Sequence, residues 1–62
     1  MSIFGQQLKP KQFVCEQADH QVVIAYQSDD EHNVILFKVP EHVRQFLAIL
    51  KEAGYTEVPL ED

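Results

Sequence analysis

The residues of this sequence whose types suit metal binding or nucleophilic chemistry are His20, His32, His42 and Cys15, with the acidic run Asp29, Asp30 and Glu31 as a possible cation ligand. Their spacing argues against each use. A structural zinc needs paired Cys or His ligands a few positions apart, and neither a CxxC pair nor a Cys/His array is present. Cys15 lies between Val14 and Glu16, and a neighbouring carboxylate opposes the thiolate that a nucleophile requires. The three acids are consecutive, without the spaced oxygen ligands and central glycine of a calcium loop, and read as a solvated hairpin tip. His20 and His32 fall at opposite ends of one expected strand. A cluster of His20, Asp19 and His42 is geometrically possible but follows no ligand motif. With no GxGxxG, Walker loop, GxSxG or HExxH in the chain, no catalytic, cofactor or metal site is expected, and the protein is not expected to be an enzyme.

The elements that position these residues follow from periodicity. In "QFVCEQA" the residues Phe13, Cys15 and Gln17 fall on one side of a strand at about 12–18, with Val14, Glu16 and Ala18 on the other. Asp19 and His20 suit a tight turn. Two further strands are expected at about 21–27 and 33–39, because both runs are rich in β-branched and aromatic residues, and "SDDEH" between them suits a hairpin loop. From Pro40 the period changes to that of a helix, expected at about 40–53. Pro40 suits its first turn, Glu41 complements the positive end of the dipole, and Gly54 stops it, with Tyr55 free to fold back on Leu50. Val43, Phe46, Leu47, Ile49, Leu50 and Ala53 form its apolar stripe. The expected fold is a small α+β domain at 13–55, a three-stranded antiparallel meander packed on one C-terminal helix. An irregular N-terminal arm occupies 1–12 and a tail or short extended segment occupies 56–62, where Val58 and Leu60 are the residues suited to clip it to the body.

A chain of 62 residues holds one core, and 45% apolar with 24% charged residues is the composition of a folding protein. Below roughly 70 to 80 residues a lone core seldom supplies more than about 3 to 5 kcal/mol, so small domains recruit a disulfide, a metal or a second subunit. With one cysteine the first is excluded within the chain, which leaves association. No signal segment precedes Ile3 and no apolar run approaches the roughly 20 residues needed to cross a bilayer, so a cytoplasmic protein without membrane contact is expected. The net charge of −5 opposes general affinity for phosphate backbones. Lys9 and Lys11 nonetheless make the arm slightly basic before an acidic body. They carry the alternative reading, a nucleic-acid-binding accessory protein in which Phe13 or Phe37 stacks on bases.

Neither strand run around the acidic loop alternates cleanly between apolar and polar, which implies that both faces of the sheet are covered. One helix of about 14 residues, roughly 21 Å long, blankets only one face. The other is expected to carry Val23 and Ala25 with Val34 and Leu36, or the opposite set, and to be buried by a second copy, by another protein, or by Ile3, Phe4 and Leu8 of the arm. The expected function is a small non-catalytic interaction or regulatory module acting through this apolar face, as a homodimer or with another protein.

Overall fold

The computed structural model describes residues 6–60. It contains β1 (Gln12–Ala18), β2 (Gln21–Gln27), β3 (His32–Phe37), α1 (Pro40–Glu52) and β4 (Thr56–Glu57). The antiparallel meander and the C-terminal helix of the expected α+β fold are both present. Ala18 pairs with Gln21 across the Asp19–His20 turn, and Val22 pairs with Phe37 across β2 and β3. His20, and not Asp19, takes the left-handed backbone, at φ 61. For a residue with a Cβ this conformation costs about 1–2 kcal/mol, and histidine is among the types that tolerate it best.

Three boundaries differ from the periodic reading, two of the third strand and one of the helix. The third strand begins at His32 and ends at Phe37, because the preceding loop closes tightly and the following residues leave the sheet. In that loop the Ser28 amide donates to the Glu31 carbonyl at 2.9 Å, and the Glu31 amide donates to Ser28 Oγ at 3.3 Å. Val39 acts as the helix N-cap, with φ −110 and ψ 121, and its carbonyl accepts the His42 amide at 3.0 Å. The other boundary is the helix end, at Glu52. Gly54 (φ 91) permits the closing turn, in which the Tyr55 amide donates to Leu50 O at 3.0 Å and the Gly54 amide to Lys51 O at 3.1 Å.

The sheet has a fourth strand, in the order β3-β2-β1-β4. Thr56 and Glu57, in the segment read as a tail, run parallel to β1, with the Thr56 amide on Lys11 O and the Val58 amide on Phe13 O, both at 2.9 Å. Two residues carry no readable period, so nothing local in the sequence announces this strand.

Each face of the sheet has its own core. On one, Phe13 and Ile24 are fully buried beneath Leu50, with Val43, Phe46, Leu47 and Tyr55 packed around them. Phe46 anchors the helix, its ring 5.2 Å from Phe37 and 5.5 Å from Tyr26. The expected helix stripe is narrower than its sequence: Ile49 is 62% exposed and Ala53 is also exposed. At about 100° per residue, Ile49 lies beyond Phe46 on the flank toward β3, where no strand reaches it. On the other face, Val14, Val23 and Ala25 are buried, with Leu8, Val34, Val58 and Leu60 against them. Burying side chains of this size contributes about 1.5–3 kcal/mol each, so both cores matter in a chain this small.

Candidate interaction surface

The register brings Val23, Ala25, Val34 and Leu36 to one face, with Ala25 opposite Val34 and Val23 opposite Leu36. The chain itself covers most of that face. Ala25 is fully buried and Val23 is 8% exposed, so the open face expected over these two residues is absent. Its cover comes from both directions along the sequence: Leu8 from the segment before β1, Val58 and Leu60 from the segment after β4. Gln6 Nε2 donates to the Pro59 carbonyl at 2.9 Å and ties the two covering segments together. Ile3 and Phe4, expected to help cover this face, lie outside the described residues. What remains open is the margin. Val34 is half-buried, Leu36 is 49% exposed and Val39 is exposed, while Ile49 stands on the helix flank of the same side.

This margin runs along β3, an edge of the sheet. The tight β1–β2 turn makes Ala18 and Gln21 a hydrogen-bonded pair, and alternation then directs the backbone groups of Val22, Ile24 and Tyr26 toward β3. Their partners Phe37, Ile35 and Asn33 answer them, which leaves the amides and carbonyls of Val34 and Leu36 directed outward. From His32 to Phe37 the edge holds no Lys, Arg, Asp, Glu, Pro or Gly, the residues by which sheet edges are ordinarily protected from pairing. Charge gathers at its two ends instead: Asp29, Asp30 and Glu31 precede the strand and Lys38 follows it.

The residues singled out for chemistry are dispersed. His20 sits in the β1–β2 turn and His32 pairs with Gln27 at the far end of β2; His42 is in the first turn of α1. Among the described residues no three His, Cys, Asp or Glu gather as a metal site. Cys15 is half-buried against the Phe13 and Ile24 core. Burial pushes its thiol above the ordinary range, Glu57 pushes it further, and Lys51 pulls part of the way back. The two basic residues of the arm differ from each other. Lys11 Nζ lies 5.0 Å above the Tyr55 ring, while Lys9 is exposed and its amide donates to Gln12 Oε1 at 2.9 Å. Phe13, one of the two rings considered for base stacking, is fully buried and cannot reach a base.

The sequence reading missed the cleft at one corner of the sheet. Gln17, Val22 and Phe37 form the last cross-strand row on the helix-bearing face. The helix begins beside this row, so the corner between its first turn and the β1–β2 turn stays open as a cleft of about 530 Å³. The signal available in the sequence was indirect: a 13-residue helix is shorter than a diagonal path across the sheet would require. Among the described residues no helix is long and apolar enough to cross a membrane. No protein-family model matches the chain, and neither does any curated protein or solved structure.

Proposed function

We propose that this protein is a non-catalytic interaction module that associates as a homodimer along the open edge of β3. The observation that carries the reading is the unprotected apolar edge from His32 to Phe37, with acids at one end and Lys38 at the other. Such a strand is complementary to itself when reversed. A second copy running antiparallel, with Ile35 on the twofold axis, sets Val34 against the other copy's Leu36 and joins the outward amides and carbonyls of both. The same reversal brings Lys38 of each copy to His32 of the other, within a residue or two of Glu31 and Asp30. The exposed Leu36 side chain gains cover, and a core too small to supply much stability alone gains a second.

The non-catalytic part of the reading is supported by the dispersal of the histidines and by a thiol held away from its reactive form. The nucleic-acid alternative draws no support from an arm whose Lys11 is engaged on Tyr55. Sedimentation equilibrium tests the dimer directly: a species of twice 7.2 kDa is expected, dissociating on dilution. Leu36→Lys is expected to shift it toward the monomer without loss of helical circular dichroism. A single 7.2 kDa species at every concentration would overturn the reading.

A further inference from the structure

The corner cleft has a composition unlike the rest of the molecule. Eight acidic residues lie among the described residues, yet none of them lines this cleft. Its rim holds His20, Lys38 and Arg44, and its floor and wall are formed by apolar residues, chiefly Val22, Phe37 and Val43. Lys38 and Arg44 engage no carboxylate among the described residues. Two of the five Lys and Arg residues therefore stand over an oily floor with no ion pair among the described residues. Glu41 is in the same helical turn and, at about 100° per residue, lies about 160° from Val43 and about 60° from Arg44, so it flanks Arg44 on the side away from the cleft and does not line it. The volume of about 530 Å³ falls within the range of roughly 300–1,000 Å³ common for small-molecule sites, in which apolar lining supplies affinity and a few polar groups fix orientation.

We propose that this cleft binds a small amphiphilic carboxylate, its hydrocarbon tail on Val22, Phe37 and Val43 and its carboxylate at the rim between Arg44 and Lys38. Charge complementarity selects this occupant. A neutral hydrocarbon leaves the two cations unused, and a cationic amphiphile is repelled by them. Arg44, Val43 and Val22 lie off the β3 edge and stay available in the proposed dimer, in which Lys38 is shared with the other copy's acidic residues, so Arg44 is the cation on which the carboxylate preference rests.

The test is a two-dimensional ¹H–¹⁵N NMR titration of the full chain with octanoate, octanol and octyltrimethylammonium. Octanoate is expected to shift the amides of His20, Val22, Lys38 and Val43 saturably, and to bind about tenfold or more tightly than octanol, the difference that a charge-assisted hydrogen bond of about 1.5–3 kcal/mol confers. The ammonium amphiphile is expected to bind more weakly than either. Arg44→Glu is expected to remove the octanoate preference while leaving octanol binding and the sedimentation behaviour unchanged. Equal affinity for octanoate and octanol, or shifts centred on Leu36 and Ile49 in place of the cleft, would overturn the proposal. An octanoate preference that survives Arg44→Glu would overturn it as well.

Discussion

The two edges of the sheet are built on opposite plans. The β1 edge is closed by β4, a strand of two residues, Thr56 and Glu57, followed by Val58 and then by Pro59, which has no amide hydrogen to offer a further neighbour. The β3 edge is six residues long, apolar through its second half, and ends without a proline or an inward charge. A short strand with a proline behind it stops a sheet from growing. A long bare one lets it continue, and the contrast points to association on one side only.

Predictions that break or sharpen this contrast begin at the closed edge. Phe13 is fully buried and its carbonyl accepts the Val58 amide, so it joins the helix-side core to the closing strand. Phe13→Ala is expected to cost about 3–5 kcal/mol, enough to unfold most of the population, as read by urea titration of the circular dichroism signal. Val58→Pro removes the amide that reaches Phe13 O. The expected loss is about 1–3 kcal/mol for a buried carbonyl left without its donor, with the helix preserved.

At the open edge the effects are on association. Lys38→Glu is expected to weaken the dimer about 1.4- to fivefold for each ion pair lost, the range of surface pairs worth about 0.2–1 kcal/mol. Adding Glu31→Lys in the same chain is expected to restore it, with sedimentation as the readout. Failure of the second change to restore what the first removes would discard the antiparallel self-pairing while leaving other dimers to be considered. The smallest effect concerns Cys15, which faces the helix and sits next to the closed edge. Its thiol keeps its proton longer in the folded chain than in the unfolded one, by burial first and Glu57 second. Stability is therefore complete below the ordinary thiol range and declines as pH rises through it, since the unfolded state releases the proton first. A shallow alkaline fall in the urea midpoint, abolished by Cys15→Val, is the expected result.

Much of the frame was legible in the residues. Strand alternation at 12–18 and 21–27, the proline and glycine that bracket the helix, and the change of period at Pro40 are local signals, and the fold follows them. Other features depend on residues far apart in the chain. Nothing near Thr56 shows that it will lie beside Lys11, and nothing near Val23 shows that Leu8, Val58 and Leu60 will cover it. The single-helix argument identified a face in need of cover but could not see that segments from both sides of the meander supply most of it. For the same reason the exposed apolar surface lies not in the middle of that face, at Val23 and Ala25, but at its margin at Leu36. Ile49 was misread because a stripe drawn on a helix alone is wider than the strip of sheet beneath it. The corner cleft was legible only indirectly because it depends on where along the sheet the helix begins.

The hydrogen bond from Gln6 to Pro59 spans 53 positions of sequence and clasps two short segments over Val14, Val23 and Ala25. Neither segment has partners of its own until the meander exists, and the meander has a bare oily side until both arrive. A nascent chain that has emerged only as far as the helix therefore carries an adhesive surface, and so does a proteolytic fragment that has lost either clasp. Quality control in the cell would meet such a species as a sticky half-product, which makes late folding the vulnerable interval in the life of this small protein.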